Sequence, residues 1–225
     1  MAKSRVTWKS DRDLFTLIRG ELFPAVVGDV MDKLGLRRQF LPPEIQPLRD
    51  DMVVLGRAMT VLEADCFDDG PDSFGKMFEA LDNLKSGELY VCAGASPTYA
   101  LWGELMTIRA RACGALGAVM DGYSRDTNGI LEQDFPCFSR GRYAQDQAPR
   151  GKVIDYRCPV EIGQARIEPG DILFGDLDGV CVIPRKAERD VFAKALEKAR
   201  EEKNVRKALD DGMTAGDAFR KFGIL

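Results

Sequence analysis

Three charged residues mark the two ends of one short segment, residues 103–126, which reads GELMTIRARACGALGAVMDGYSRD. Glu104 follows a glycine at its start, and Arg125 and Asp126 close it after twenty intervening residues. A guanidinium is a planar fork of donors for a carboxylate, and carboxylates supply the oxygens that hard cations prefer. The segment is therefore either an ordinary helix–strand unit with charged ends or a unit whose ends meet to form a site.

The pattern around these residues predicts a βαβ unit. Residues 89–92 and 118–122 are short apolar runs typical of buried strands, and residues 103–116 between them are predicted to form a helix. A helical crossover of this kind makes the two strands parallel.

The lengths of these elements indicate that the charged ends meet. A 14-residue helix is about 21 Å long at about 1.5 Å per residue. The return over residues 117–126 spans up to roughly 30 Å in an extended chain. We therefore predict that Arg125 and Asp126 return to the start of the helix, whose free amides belong to Glu104, Leu105 and Met106.

Such an arrangement suits a metal-chelating 2-oxo acid. The helix start offers free N–H donors and about half a positive charge, Arg125 offers a fork for a carboxylate, and Asp126 and Glu104 offer oxygens for a cation. A simpler interpretation stays open on spacing alone. Acids at helix starts are routine, so Glu104 could complement the helix dipole while Arg125 and Asp126 form a surface ion pair.

The chain contains no histidine, which restricts its chemistry more than any residue present. Histidine-based nucleophile systems and an imidazole general base are excluded, as are histidine-ligated zinc, copper and iron sites. The six cysteines form no CxxC pair and are predicted to be reduced thiols. A bound metal would therefore be held by oxygen ligands, which suit Mg²⁺ or Mn²⁺.

The remaining composition is that of a soluble globular protein. The net charge of −4 without a basic cluster argues against a nucleic-acid partner. No apolar run is long enough to span a membrane, and the N-terminus has no apolar core of a signal peptide. We predict a cytoplasmic protein of 225 residues forming a single domain over residues 1–225.

Helices are predicted at both ends of the chain around a strand-rich middle. Residues 11–35 read as two short helices, with Asp11 as a candidate cap, Pro24 starting the second and Gly35 ending it. A strand over residues 51–65, with Gly56 as a candidate bulge, precedes a helix ended at Gly87. A long amphipathic helix begins near residue 185, and a short one completes the chain.

The segment and its surroundings resemble the 4-hydroxy-4-methyl-2-oxoglutarate aldolases, which share a superfamily with the regulator of ribonuclease activity A proteins. The resemblance is carried by Gly-Glu-Leu and Arg-Asp within GALGAVMDGYSRD, and by VVGDVMDKLG, IQPLRDDMVVLGRAMTV and EPGDILFGDLDGVCVIP. It extends over roughly residues 20–205. It implies an αββα sandwich assembled as a homotrimer or hexamer with sites between subunits.

The resemblance also implies roles for individual residues. Asp126 would ligate the cation directly, and Glu104 would touch its water shell as a catalytic acid. Arg125 would bind the substrate and act in catalysis, with Gly103 and the amides of Leu105 and Met106 around the pyruvyl carboxylate.

Two positions depart from the aldolase pattern. Glutamate stands at position 104 where the aldolases carry aspartate, and Gly129 stands where an acid often follows Asp126 by three residues. The family also uses a glutamate from the C-terminal helix of a neighbouring subunit; the matching residue is Glu201, with Glu202 next to it.

These residues predict a divalent-metal-dependent lyase that cleaves a C–C bond of a small 2-oxo acid to release pyruvate, with oxaloacetate decarboxylation as a second activity. A Schiff-base aldolase is the rival mechanism, although no lysine lies in residues 103–126. A binding protein that inhibits a ribonuclease is the alternative function, because one fold can carry either role.

Several other residues could take part in a site, but each has a simpler structural explanation. Asp176 and Asp178 could hold a metal but fit a hairpin turn. Tyr123 and Trp102 could line the pocket or simply pack. The acids Asp65, Asp68 and Asp69 are predicted to lie in a solvated loop.

Overall fold

A computed structural model describes residues 7–67 and 70–224 of the chain. Helices stand at both ends and strands fill the middle, as predicted. The helices are α1 (Asp11–Glu21), α2 (Pro24–Lys33), α3 (Met77–Asp82), α4 (Glu104–Ala112), α5 (Thr127–Glu132), α6 (Glu188–Asp210) and α7 (Ala215–Phe222). The strands are β1 (Gln46–Pro47), β2 (Val54–Asp65), β3 (Glu88–Ala93), β4 (Ala100–Trp102), β5 (Gly117–Met120), β6 (Tyr123–Ser124), β7 (Cys137–Ser139), β8 (Gly151–Tyr156), β9 (Val160–Ile162), β10 (Ala165–Ile167), β11 (Ile172–Asp176) and β12 (Gly179–Ile183).

The first two helices begin at recognisable signals. Ser10, not Asp11, caps α1: its side chain accepts a hydrogen bond of 3.2 Å from the amide of Asp13, which satisfies one of the free donors of the first turn. Pro24 opens α2 as predicted, since its missing N–H is not needed there. Gly35 follows α2 with a positive φ of 82°, as expected for the residue after a helix.

The long strand β2 organises an eight-stranded sheet, in which seven strands follow the order β1-β7-β5-β3-β2-β11-β12 and β8 also pairs with β2. On one side β2 pairs in parallel with β3; on the other its first half pairs with β11 and its second half with β8, both antiparallel. The bulge predicted at Gly56 is wrong. The register shifts between Leu62 and Glu63 instead, within the pairing with β8, where Leu62 lies opposite Asp155 and Glu63 opposite Val153.

Two apolar clusters lie on opposite sides of β2, β11 and β12. Leu55, Phe174 and Cys181 pack with buried residues of α1, α2 and α6. Their neighbours Val54 and Leu173 belong to the cluster that contains α3 and α4. Because side chains alternate along a strand, the sheet separates the terminal helices from α3 and α4, and the predicted α/β architecture is confirmed.

Both helices that precede the central strands are shorter than predicted. The helix expected over residues 103–116 ends at Ala112, and the one expected to reach Gly87 ends at Asp82. Gly114 has a φ of 81° and lies against Ser86: a Cβ built on Gly114 would stand 3.1 Å from the Cα of Ser86. The turn at Gly114 and this close contact therefore end α4 early and return the chain to β5.

All six cysteines are free thiols, in agreement with the prediction from the sequence. Across the part of the chain that the structure describes, no helix combines the length and the apolarity that a membrane span requires. The single-domain boundaries at residues 1 and 225 lie outside the described residues and stay a prediction.

Candidate active site

The two ends of the 103–126 segment meet, as the spacing predicted. Strands β3 and β5 are parallel neighbours, with Leu89 opposite Gly117 and Cys92 opposite Met120. Beyond them, the short strands β4 and β6 form a second parallel pair. The amide of Arg125 donates to the carbonyl of Trp102 at 2.9 Å. This β4–β6 pair, which the sequence did not predict, holds the ends of the segment together.

Asp126 lies directly against the start of α4. Its Oδ2 accepts a long hydrogen bond of 3.4 Å from the amide of Glu104. Asp126 has a φ of 56° and precedes α5, a left-handed conformation that few residues other than glycine adopt. This backbone conformation places the carboxylate against the start of α4.

Gly103 makes room for that carboxylate. A Cβ built on Gly103 stands 2.7 Å from Asp126 Oδ2 and 3.5 Å from Arg125 Cγ, and the first distance is too short for any side chain. Gly103 therefore contributes to the site by lacking a side chain, which lets Asp126 approach the amides of the helix.

Arg125 lies between two carboxylates. Its Nε is 3.7 Å from Asp126 Oδ2, and its Nη1 is 3.4 Å from Asp146 Oδ1. Both distances exceed those of a close bidentate pair, and the Arg125 side chain is 37% exposed. The guanidinium is therefore held in place while its donors stay accessible to a carboxylate ligand.

Asp146 is a site residue that the sequence analysis missed. It lies in the connection between β7 and β8 and forms an isolated parallel bridge with Ala100 of β4. The amide of Ala100 also donates to the carbonyl of Gln145 at 2.8 Å. The contact depends on this long-range pairing, and the stretch AQDQAPR around Asp146 carries no local signal for it.

The first turn of α4 presents donors to the same region. Gly103 is the N-cap, and no side chain there accepts a hydrogen bond from the turn. Leu105 is exposed and Met106 is partly buried. Their amides lie in the first turn, where N–H groups have no partner within the helix, so they are suitably placed for an anion beside Arg125.

These groups face one cavity of about 370 Å³. Its polar lining includes Arg125, Asp126, Asp146 and Gln147, and Gly103 and Trp102 lie beside them. Helices α3 and α4 supply most of the apolar remainder. The predicted groups at residues 103, 105, 106, 125 and 126 are thus brought together around one space.

Glu104 faces away from most of this cavity and is not among its lining residues. Its side chain packs over α5, where a Cβ built on Gly129 would stand 2.4 Å from Glu104 Cδ and 2.6 Å from Oε2. The predicted contact between Glu104 and the water shell of a cation stays a prediction.

The carboxylates at the cavity fit a hard, mostly hydrated cation. Asp126 and Asp146 both line it, and oxygen donors are the ligands that Mg²⁺ and Mn²⁺ prefer. Among residues 7–67 and 70–224, no three acidic or thiol side chains converge closely enough to hold a metal by themselves. A cation at this cavity would therefore need water to complete its coordination.

Glu201 and Glu202 lie on α6, which packs on the other side of the sheet from α4. Glu201 is exposed, whereas Glu202 accepts a short hydrogen bond from Lys198, which also contacts Asp29 at 2.9 Å. Neither glutamate lines the cavity of its own chain. Their contribution from a neighbouring subunit stays a prediction.

The weaker candidates separate clearly. Trp102 lines the cavity and is also a packing residue: it stacks on Phe135 and its Nε1 donates to Thr107 at 2.8 Å. Tyr123 pairs edge-on with Tyr143 instead.

Of the remaining acids, Asp176 and Asp178 form a tight hairpin turn, with the amide of Asp178 donating to Asp176 Oδ1 at 2.9 Å. Asp65 is exposed at the end of β2, although it accepts hydrogen bonds from Ser96 and Tyr99. Asp68 and Asp69 lie outside the described residues.

One buried acid was not anticipated. Glu63 is 1% exposed, and its Oε1 has no hydrogen-bond partner among the described residues. Cys92 Sγ donates to its Oε2 over 3.9 Å. Burial, with a smaller contribution from the charge of Asp65, raises the pKa of Glu63 to about 8. Its position follows from strand alternation, because Glu63 shares its face of β2 with the buried residues Met59 and Val61.

The comparison with protein families agrees with this geometry. The RraA-like model, described as Aldolase/RraA, matches residues 24–182. The chain belongs to the RraA-like family. The matched range includes the whole 103–126 segment, with Asp146, and ends before α6.

Individual relatives carry two kinds of name. A putative 4-hydroxy-4-methyl-2-oxoglutarate aldolase of Halalkalibacterium halodurans is 32% identical over 194 residues, which cover 86% of this chain and 87% of the relative. Protein DlpA of Legionella pneumophila is 28% identical over 195 residues, and the match spans only 31% of its length.

Solved structures match the fold over nearly the whole chain. An uncharacterized protein of Pseudomonas syringae pv. tomato has a TM-score of 0.85 at 25% identity, covering 98% of this chain and all of that one. RraAS2 of Streptomyces coelicolor, described as an unusual member of the RNase ES inhibitor RraA protein family, has a TM-score of 0.77 at 22% identity, with 89% and 99% covered. The second likeness concerns the fold alone.

Proposed function

We propose that this protein is a divalent-metal-dependent lyase that cleaves a C–C bond of a 2-oxo acid and releases pyruvate. The observation that carries the proposal is the cavity that Arg125, Asp126 and the first turn of α4 share. The name of the Halalkalibacterium halodurans relative supports the same class of activity. 4-Hydroxy-4-methyl-2-oxoglutarate and related 4-hydroxy-2-oxo acids are the proposed substrate class.

Each residue has a distinct task in this proposal. Arg125 binds the substrate carboxylate, and the amides of Leu105 and Met106 complete an anion site at the positive end of α4. Asp126 holds Mg²⁺ or Mn²⁺, with Glu104 and Asp146 as neighbours of its water shell. When bound, the ion polarises the 2-oxo group and stabilises the negative charge that develops on its oxygen.

The cleavage balances without any further reagent. The bond between C3 and C4 breaks, its electron pair stays on C3, and the 4-hydroxyl group loses its proton as it becomes a carbonyl. A proton is then delivered to C3, which completes pyruvate. The chain has no histidine, so water positioned beside Arg125 carries these protons, and Asp146 serves to position the guanidinium.

Oxaloacetate decarboxylation and the Schiff-base aldolase route make different demands on the site. Decarboxylation of oxaloacetate passes through the same pyruvate enolate, so we propose it as a second activity of the site. The Schiff-base route requires a lysine at the substrate carbonyl. No lysine is among the described residues that line the cavity, which favours the metal-dependent route.

The active assembly is proposed to be a homotrimer or hexamer located in the cytoplasm, with sites between subunits. Inhibition of a ribonuclease by contact stays the alternative function. Retention of Arg125 together with Asp126 in an accessible cavity favours catalysis over that alternative.

A pyruvate-coupled assay tests the proposal. The purified chain is incubated with 4-hydroxy-4-methyl-2-oxoglutarate or oxaloacetate, with Mg²⁺ or Mn²⁺, and pyruvate formation is followed. We expect turnover with at least one metal and its loss on chelation. Absence of turnover with both metals, for these substrates and for a 4-hydroxy-2-oxo acid with an apolar tail, would overturn the proposal, and a parallel ribonuclease inhibition assay would then test the alternative.

A further inference from the structure

The cavity extends from its charged end into an apolar end. Besides Arg125 and Asp126, it is lined by Phe74, Met77, Phe78 and Leu81 of the α3 region and by Leu105 and Met106 of α4. Met77 and Leu81 are buried, whereas Phe78 and Leu105 are 59% and 78% exposed. A substrate whose carboxylate lies at Arg125 therefore directs the rest of its carbon chain along an apolar wall.

The charges along this wall do not favour a second carboxylate. Among the described residues, two positively charged side chains line the cavity, those of Arg109 and Arg125. Arg109 Nε already donates to Asp82 Oδ1 at 2.7 Å. Asp82 lines the cavity beside Arg109. A carboxylate at the end of the substrate's tail would therefore be repelled by Asp82, which already pairs with Arg109.

We propose that this site takes a 4-hydroxy-2-oxo acid with a single carboxylate and an apolar alkyl or aryl tail, in preference to a dicarboxylate. The inference rests on the proposed function for the placement of the carboxylate at Arg125. The tail lies between α3 and α4, against Phe74, Phe78 and Met106. Burial of each additional methylene improves affinity by about fourfold while the tail still fits.

A binding experiment separates this inference from the catalytic proposal. Two 2-oxo acids that lack the 4-hydroxyl group and cannot undergo retro-aldol cleavage, 2-oxo-4-phenylbutanoate and 2-oxoglutarate, are compared by calorimetry in the presence of Mg²⁺. We expect the phenyl compound to bind at least about tenfold more tightly. Equal affinity, or tighter binding of 2-oxoglutarate, overturns the inference even if the protein proves to be a lyase.

Substrates then test the same preference in turnover. We expect kcat/KM for 4-hydroxy-2-oxo-4-phenylbutanoate to exceed that for 4-hydroxy-2-oxoglutarate by at least about tenfold. Pyruvate release from the dicarboxylate alone overturns the inference but leaves the proposed function standing. Release from neither substrate, with the tail preference still present in calorimetry, contradicts the lyase and supports the apolar subsite.

Two exposed positions allow variants that leave the core intact. Phe78→Ala should reduce the preference for the phenyl compound by about fivefold or more. Asp82→Asn frees Arg109 and removes a negative charge, and should shift the preference towards 2-oxoglutarate. Glu79→Gln, an exposed acid of α3 that does not line the cavity, is the matched control and should leave both affinities unchanged. An unaltered preference in Phe78→Ala and Asp82→Asn counts against the subsite.

Discussion

Glu104 occupies the space that a side chain at position 129 would need, since a Cβ built on Gly129 stands 2.4 Å from Glu104 Cδ. These are the two positions at which the chain departs from the aldolase pattern, with glutamate for aspartate and glycine for an acid. The extra methylene of Glu104 reaches over α5 where the absent side chain of residue 129 would lie. The two departures are therefore sterically coupled, because a side chain at position 129 requires Glu104 to move.

Gly129→Ala tests this coupling. The contacting atom is the end of a flexible side chain, so Glu104 moves aside and the fold survives. We expect kcat/KM to fall by roughly tenfold, as for loss of one hydrogen bond to a charged group, while Tm stays near that of the parent. Shortening the acid in Glu104→Asp/Gly129→Ala should recover part of the loss, a non-additivity that a double-mutant cycle measures.

The matched control is Gly20→Ala in α1, where a built Cβ meets nothing within 4 Å. It should stabilise the helix by about 1 kcal/mol and leave activity unchanged. Full activity of Gly129→Ala would show that the position of Glu104 does not matter for turnover.

Arg125→Lys tests the recognition of the carboxylate. A lysine keeps the positive charge but loses the planar fork, and loss of one charge-assisted hydrogen bond corresponds to a decrease of roughly 10- to 100-fold in kcat/KM. Circular dichroism should show an intact fold. Arg111→Lys, at an exposed position of α4, is the control and should behave as the parent. Near-normal turnover of Arg125→Lys would remove this residue from the site.

Asp126→Asn tests the cation site. The variant removes the proposed direct ligand, the chain has no histidine to take its place, and Asp146 is held 3.4 Å from Arg125. We expect chelation by EDTA to abolish the activity of the parent and added Mn²⁺ to restore it, whereas the variant stays at least about 100-fold below the parent at all metal concentrations. Asp50→Asn, at an exposed loop position, should respond as the parent does. A parent that is insensitive to EDTA would instead favour the Schiff-base route.

Glu63 gives the folded state a distinctive pH dependence. Its pKa is about 8 in the folded chain, against an ordinary value of 4.5. Between these values the folded chain keeps a proton that the unfolded chain has lost, so the free energy of unfolding decreases as the pH rises through this window. Below pH 4.5 Glu63 is protonated in both states, so its burial causes no loss of stability through ionisation. Above about pH 8 it is ionised in both states, and the cost of the buried charge is at its full value.

Glu63→Gln removes this ionisation and should flatten the dependence. Urea unfolding at about pH 5 and about pH 8.5 measures it, with the exposed Glu79→Gln as the control that keeps the slope of the parent. An unchanged slope in Glu63→Gln would mean that other groups cause the dependence.

The sequence predicted the parts of this site that follow from local pattern. Apolar runs and helical spacing were sufficient to place Arg125 and Asp126 at the start of α4, because a βαβ unit has a fixed geometry. The predicted length of α4 was wrong because the end of this helix depends on Gly114 packing against Ser86, a contact between distant segments.

Asp146 and Glu63 could not be predicted for a related reason. Asp146 reaches Arg125 through the bridge to Ala100, and nothing in its own neighbourhood indicates that pairing. Glu63 shares its face of β2 with Met59 and Val61, which are buried. That this face stays covered as far as residue 63, close to the end of the strand, is decided by the segments packed against it, which are tertiary features.

The final prediction concerns whether one site is built from two chains. In its own chain Glu201 is exposed on α6, across the sheet from the cavity, so it can act only on a neighbouring subunit. Under this hypothesis Arg125→Ala and Glu201→Ala are each nearly inactive. When the two are co-expressed, a site needs an intact Arg125 from one chain and an intact Glu201 from the next, so random mixing restores about a quarter of the sites.

The design of the mixing experiment separates a shared site from other causes of recovery. Arg125→Ala mixed with Asp126→Ala is the control: both changes lie on the same side of the proposed site, so every site keeps one defect and no activity returns. Glu202→Ala, whose carboxylate is engaged by Lys198, distinguishes the two adjacent glutamates and should stay active alone. Light scattering establishes that all variants form the same oligomer. Because recovery requires oligomers that contain both kinds of subunit, mixed oligomers of Arg125→Ala and Glu201→Ala that stay inactive, or full activity of Glu201→Ala alone, would count against a site shared through Glu201.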